Sequence, residues 1–363
     1  MSSSQKKGQE NGWDFWKRIG SPKYVSAPMI GASTLACRKL FRKYSVDLCY
    51  SPMIIASLFL EDSDYREKIL TTDSDDRPLF IQFCGDNAQI MAQAAKQVQH
   101  LCDSVDINFG CPQAFAEKCH YGAYLQDEWD LMREIVSTMN RELDVCVSAK
   151  FRMQATIDKT VGMAQMLQES GAQVITMHEQ ITVPFIANGG IISLEQADHI
   201  LDLTKANAVM VGEGLRRNPA LFAGIERNPY KLCNELIDIS KKEPQNVYYP
   251  QPFEFIIEQV HRILLNNMEG SSYPIQSYDS KKRKRNKIRE ETSTNIFHKH
   301  WDLREQLIGV KTLTSLEQIL AEAEKREKSN EDPPPKPGRH SVVQEDNDTI
   351  ISGTSIFDEG SDS

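Results

Sequence analysis

Cys111, in the stretch DINFGCPQAF (106–115), follows an apolar, strand-like run, with Gly110 and Pro112 on either side and Asn108 three residues before it. A cysteine so placed is either a small buried apolar side chain or a thiol aimed from a strand end as proton donor or nucleophile. Chemistry-bearing residues recur at the matching place after other apolar runs: Met29, Gln82, Lys150 with Arg152, His178, Asn188 with Gly189 and Gly190, and Glu213 with Gly214. Lys150 could form a Schiff base, contact a phosphate or a flavin, or make half of an ion pair. The glycines of ANGGI and GEG let backbone N–H groups approach an anion. Taken singly, each of these positions reads as structural or solvated. Recurring together, they mark one face of the molecule as a site.

The elements that must position them alternate. KYVSAPMIG, DLCYSPMII, PLFIQFCG, SVDINFGCP, VCVSAKFRM, QVITMH, VPFIANGGI and NAVMVGEGL read as eight strands, mostly followed by stretches of helical spacing such as AQIMAQAAKQVQHL. Near-continuous apolar strands point to a parallel sheet covered on both faces. Eight such units within about 200 residues predict an α/β fold, a TIM (β/α)8 barrel. An open doubly wound sheet is disfavoured, because no G-x-G-x-x-G follows the first strand. In a barrel the strand ends converge on one catalytic rim, and phosphate commonly sits after the last two strands. A phosphate site there, with Lys150, His178 and the Gln82 amide, makes a flavin mononucleotide cradle plausible, although a sugar phosphate would suit the same residues.

The net charge of -9 argues against general affinity of the whole surface for nucleic acid or membrane, though it allows a local basic patch. No stretch approaches the roughly 20 apolar residues that span a bilayer, so no membrane association is expected. The opening MSSSQKKGQENGWDFW lacks the apolar core of a signal peptide. The eight cysteines then read as reduced thiols in the cytoplasm or nucleus. No metal is expected, since Cys111 and Cys119-His120 lack a second ligand pair. Residues 1–19 read as disordered, 20–230 as the catalytic barrel, 231–328 as a small helical domain and 329–363 as a disordered acidic tail. Within the helical part, KKRKRNKIR (281–289) has seven basic residues in nine and reads equally as an RNA contact or a nuclear-import signal.

SAPMIG, LCYSPMI, RPLFIQFCG, VDINFGCPQ, CHYGAYLQDEW, AKFRM, TMH, FIANGGI and GEGLRRNPALF follow in order over residues 20–230. This run resembles the tRNA-dihydrouridine synthase family, and within it the eukaryotic branch acting on D-loop positions 16 and 17. The resemblance implies FMN, reduced by NADPH or NADH, delivering hydride to C6 of a uracil while a cysteine at the Cys111 position protonates C5. A free thiol has a pKa near about 8.5 and is mostly protonated at neutral pH, as a general acid must be. The resemblance places Ala27, Pro28 and Met29 against the flavin ring and Gln82, Lys150 and His178 at its polar edge. Asn188, Gly189, Gly190, Gly212 and Glu213 fall at its phosphate, and Asn108 and Arg152 at the substrate. It also implies a tRNA partner whose target base leaves its stack, with the helical domain and 281–289 supplying backbone contacts; a monomer is expected.

One stretch departs from this pattern. In VITMHEQITVPFIANGGI (174–191), only Glu179 to Thr182 separate a strand ending at His178 from one beginning at Val183. Parallel neighbours need a crossover of about a dozen residues, and four linker residues reach at most about 18 Å. The sixth crossover helix is therefore expected to be missing. Either the outer layer is then open beside the sixth and seventh strands, which lose about 25 cal/mol for each Å² left uncovered, or one of those strands leaves the parallel register. A shortened or catalytically impaired RNA-binding relative, and a flavin reductase of free pyrimidines, are the alternative readings.

Overall fold

In a computed structural model of the chain, the described residues are 10–176, 182–225, 228–242, 253–266, 297, 300–330, 332 and 334. The strands are β1 (Tyr24–Ser26), β2 (Leu48–Tyr50), β3 (Ile54–Ile55), β4 (Leu79–Cys84), β5 (Ser104–Phe109), β6 (Cys146–Phe151), β7 (Val174–Thr176), β8 (Phe185–Asn188) and β9 (Ala208–Val211). All pair in parallel, in the order β2-β1-β9-β8-β7-β6-β5-β4-β3, and β2 also pairs with β4. That last pairing closes eight strands into a TIM barrel, with the two-residue β3 appended to the end of β4. Each of the eight strands expected from the sequence is present.

Alternation sorts the side chains. Along β4, β5 and β6 the apolar set Ile81, Phe83, Val105, Ile107, Phe109, Val147 and Ala149 joins the cluster under helices α5 (Ala88–Val98), α7 (Trp129–Glu142) and α8 (Ile157–Glu169). The alternate set faces the barrel interior, where the register aligns Gln82 with Asp106, Asp106 with Ser148, and Asn108 with Lys150. The other helices of the outer layer are α2 (Leu35–Lys43), α3 (Ala56–Glu61), α4 (Ser63–Ile69), α9 (Leu194–Thr204) and α10 (Glu213–Arg217), with α6 (Ala114–Lys118) in the loop after β5.

The chain from β7 to β8 is unlike the other crossovers. The strands end sooner and begin later than the sequence suggested, at Thr176 and Phe185, so the link is 177–184 rather than 179–182. Nine Cα steps reach about 32 Å, ample to return along a three-residue strand of about 10 Å. The described part, from Thr182, runs directly into β8 with no helix, and residues 177–181 lie outside the described residues. The strands keep parallel register, Ile175 beside Phe185 and Thr176 beside Ile186. Their own side chains stay covered, with Ile175 at 0%, Phe185 at 8% and Ala187 at 4% exposure. The expected loss of cover falls instead on the flanking helices: Ile157 of α8 is 76% exposed and Leu203 of α9 is 65% exposed.

Residues 12–18 correct a second expectation. They form helix α1 (Gly12–Arg18), started by Asn11, whose side-chain oxygen accepts from the backbone N–H groups of Trp13 and Asp14 at 3.0 Å each. Three aromatic side chains in four residues give this segment enough apolar surface to order, and composition alone should have indicated as much. Phe15 is fully buried, with its ring 5.8 Å from that of Phe80 at the start of β4. Trp13 donates its indole N–H to the Thr182 carbonyl at 2.7 Å, and Gln168 of α8 accepts the Thr182 N–H at 2.8 Å, so the bare link is held from two sides. A Cβ on Gly12 would lie 2.2 Å from the Gln173 carbonyl oxygen, so the helix approaches the foot of β7 closely.

The C-terminal part is helical, as expected: α11 (Pro229–Lys242), α12 (Phe253–Asn266), α13 (Trp301–Ile308) and α14 (Leu313–Ser329). Their apolar faces, including Leu236, Val260, Leu307 and Leu320, share one cluster with Leu40 and Phe41 of α2. Tyr44 donates to Glu235 at 2.6 Å and Arg216 to Glu258 at 2.6 Å, tying this layer to the barrel. The basic stretch 281–289 and nearly all of the acidic tail lie outside the described residues.

Because Phe15 is fully buried with its ring against Phe80 at the start of β4, Phe15→Ala should cost about 3–5 kcal/mol. A urea-unfolding midpoint checks this, and a loss under about 1 kcal/mol would show that α1 is dispensable to the barrel.

Candidate active site

The six-residue ladder between β5 and β6 carries the densest chemistry. Asn108, near the end of β5, accepts the backbone N–H groups of Gly110 and Cys111 on its side-chain oxygen, both at 2.9 Å. This is the local turn that a short polar side chain forms with its own backbone two and three residues on. Its amide nitrogen donates to Gln82 Oε1 at 2.8 Å, and Gln82 Nε2 donates to Asp106 Oδ2 at 2.7 Å. Ser148 of β6 donates its hydroxyl to the other Asp106 oxygen at 2.7 Å. Burial pushes the Asp106 carboxyl up to about 6, against the opposing hydrogen bonds from Gln82 and Ser148 and the charge of Lys150.

Cys111 is half-buried and forms no disulfide. Its loop is held from outside by the segment YGAYLQ. Gly122 has φ +69°, and a Cβ there would lie 2.7 Å from the Cys111 carbonyl oxygen, so both conformation and space demand glycine. Ala123 donates its N–H to that same carbonyl at 2.9 Å, Tyr124 donates to the Pro112 carbonyl at 3.2 Å, and Gln126 to the Phe109 carbonyl at 2.7 Å. From β6, Arg152 donates its Nε–H to the Gly110 carbonyl at 2.7 Å. His120 lies between Asp86 at 3.0 Å and Glu128 at 2.7 Å, pinning the segment to the loop after β4 and to the start of α7.

Beside this loop a cavity of about 990 Å³ opens at the ends of β6, β7 and β8. Lys150, Arg152, Thr176, Asn188, Gly189 and Gly190 line it, and on its outer side Ile200, Leu203 and Thr204 of α9 do so too. The rim site thus reaches outward to α9. Among the described residues nothing hydrogen-bonds the Lys150 ammonium. Burial pulls its pKa down, against the pull of Asp106, so a bound anion or acceptor there would favour its charged form. No atom lies within 4 Å of where a Cβ would stand on Gly189 or Gly190, leaving their backbone open to the cavity.

The residues singled out from the sequence therefore fall into groups. Cys111, Asn108 and Gln82 form one hydrogen-bonded chain, and Lys150, Asn188, Gly189 and Gly190 one cavity wall; Arg152 touches both. Ala27 and Met29 pack at the mouth beside Gly212, whose Cβ would meet them at 3.4 and 3.6 Å, and Pro28 lies between them in the chain. Gln82 is fully buried and its amide is already committed at both ends. Glu213 turns away, its carboxylate bonded to Arg217 at 3.2 Å and Arg262 at 3.4 Å. His178 lies outside the described residues. Among the described residues, no group of metal-ligating side chains gathers, and no helix is long and apolar enough to cross a membrane. Sequence reasoning passed over Asp106, Ser148 and His120. The alternation in SVDINF, with polar residues at 104, 106 and 108, was the available signal for Asp106.

Comparison with known proteins turns this arrangement into an assignment. The dihydrouridine synthase (Dus) family matches residues 25–180 and 178–299, two blocks that meet after β7. The chain belongs to the dihydrouridine synthase family. It is 37% identical over 264 residues to a mouse protein named "tRNA-dihydrouridine(16/17) synthase [NAD(P)(+)]-like", covering 66% of this chain and 56% of the relative. It is 36% identical over 250 residues to the tRNA-dihydrouridine(16/17) synthase [NAD(P)(+)] of Saccharomyces cerevisiae, covering 61% and 59%. A human tRNA-dihydrouridine(20a/20b) synthase [NAD(P)+]-like protein is 36% identical over 239 residues, covering 60% and 75%. The chain thus spans less than two thirds of the length of the mouse and yeast relatives.

The His120 bridge generates a pH prediction. Its hydrogen bonds to Asp86 and then Glu128 raise its pKa above the ordinary value of 6.5. A group raised on folding contributes stability fully present below its unfolded pKa and lost as pH rises through the folded one. His120→Gln should therefore destabilise the protein most between about pH 5 and 6, and progressively less above about pH 7. Denaturant midpoints across that range test it, and a pH-independent difference would contradict the charged bridge.

Proposed function

We propose that this chain is an FMN-dependent tRNA-dihydrouridine synthase that reduces uridine to dihydrouridine in the tRNA D-loop. The observation that carries the proposal is the Cys111 loop, held by Asn108 and Gly122 and joined through Arg152 to a cavity lined by the unbonded Lys150 and an open glycine pair. The cavity lies within the range of about 300–1,000 Å³ usual for sites of this kind. The residues fit a flavin mononucleotide: Lys150 and Asn188 offer donors to a ring edge, the backbone of Gly189 and Gly190 can take a phosphate, and Phe151, Ala187 and Ile191 give apolar lining. Bound there, FMN would supply a hydride for C6 of the uracil ring, the electrons coming from NADPH or NADH.

The chain's own residues do the rest. Cys111 gives its Sγ proton to C5 and is reprotonated from solvent. Asn108 and Gly122 fix the backbone from which it acts, and Arg152, anchored on the Gly110 carbonyl, keeps its remaining guanidinium donors for the substrate. The target uracil must leave its stack to reach the thiol. Beside Cys111 the half-exposed rings of Phe115 (45%) and Tyr124 (36%) offer faces on which neighbouring bases can stack. The acidic chain needs local phosphate contacts, and the C-terminal helices with the basic stretch 281–289 are the part we assign to them. Positions 16 and 17 follow the names of the mouse and yeast relatives, and we read the protein as a monomer acting on tRNA in the cytoplasm or nucleus.

Incubation with tRNA, FMN and NADPH, followed by nucleoside mass spectrometry, tests the proposal: uridine should gain two hydrogens in the D-loop. Cys111→Ala should lower that product about 10²–10⁴-fold, the range of general acid catalysis, while flavin reduction by NADPH continues. A mutant with undiminished tRNA turnover would remove Cys111 as the acid. Bound, reducible flavin with unmodified tRNA would reject the synthase activity.

A further inference from the structure

Asp106 has no part in the reaction just described, yet it is a fully buried carboxylate midway along β5. An ionisable group is costly to bury unless its bonds compensate, and here they form a directed chain. An ionised carboxylate can only accept hydrogen bonds, whereas a side-chain amide can present either end. Asp106 therefore makes Gln82 turn its NH2 inward, at 2.7 Å, which leaves Gln82 Oε1 facing Asn108. Asn108 must then turn its NH2 to that oxygen, at 2.8 Å, which leaves its own oxygen for the N–H groups of Gly110 and Cys111, both at 2.9 Å. Ser148 occupies the second Asp106 oxygen at 2.7 Å, so the head of the chain cannot turn away.

We propose that Asp106 is a positioning residue: acting through Gln82 and Asn108, it sets the direction of every amide in a relay that ends on the Cys111 backbone and so registers the thiol at the barrel mouth. The inference deepens the proposed function, since it matters to catalysis only if Cys111 is the acid, but the relay can be tested without any activity. The probe is iodoacetamide, with alkylation of Cys111 measured by mass spectrometry relative to the exposed Cys119 of the same molecules. In the full chain, Asp106→Ala should raise the Cys111-to-Cys119 ratio about fivefold, the factor that one lost hydrogen bond allows in the open population of a loop. Gln82→Met, which cuts the chain at its middle link with a side chain of similar length, should raise it equally. Asp106→Asn should raise it less than Asp106→Ala, because its amide can present either end and only one of the two orientations still accepts from Gln82. Unchanged ratios in Asp106→Ala and Gln82→Met, or a rise in Asp106→Asn matching that of Asp106→Ala, would overturn the relay. Should the relay hold while tRNA stays unmodified, the synthase reading would fail and the positioning role would stand.

Discussion

Closure of a parallel barrel is the constraint on which everything else depends. Once β2 pairs with β4 and β1 with β9, every strand enters at one end and leaves at the other. All the chemistry-bearing turns then gather at one mouth, and all the returns run outside. Chemistry is therefore concentrated wherever the ladder is stiffest. The β5–β6 ladder pairs six residues and carries Asp106, Asn108, Cys111, Lys150 and Arg152 on or just beyond it. The β7–β8 ladder, like β1–β2 and β2–β4, pairs two residues, and it borders the cavity.

The short β7–β8 ladder eases the return to β8, whose described part carries no helix. A short strand needs only a short return, and the cover lost from the outer layer is partly replaced from below. α1 fills the floor with Phe15, and its neighbour Trp13 holds the link through the Thr182 carbonyl. What is not replaced is the outer wall beside α9, where Leu203 stays exposed and the rim cavity widens. The thiol side of the site is thus built on the well-braced half of the barrel, and the open half is the side we assign to the cofactor.

Much of this was legible in the sequence. Near-continuous apolar strands announced a covered parallel sheet, and the polar residues at their ends announced the mouth. The helical C-terminal part followed from spacing alone. Three things were not legible, each for a physical reason. Strand ends could not be placed to within two residues at His178 and Val183, because apolar character continues past the last ladder bond; the link was judged four residues long instead of eight. α1 was missed because a polar, lysine-containing leader masked the aromatic residues that dock it. The role of Gln82 was read from its place at a strand end, but a strand end does not reveal which neighbour takes each amide atom. Only the register with Asp106 and Asn108 does so.

The central claim is that the barrel, with only a two-residue ladder between β7 and β8, presents a working cofactor site at its mouth. Titration of the purified chain with FMN, followed by flavin fluorescence, tests it most directly. Stoichiometric, saturable binding that protects the chain against thermal unfolding is the result this account predicts. Free flavin fluorescence undiminished at equimolar protein, with the chain folded, would contradict it.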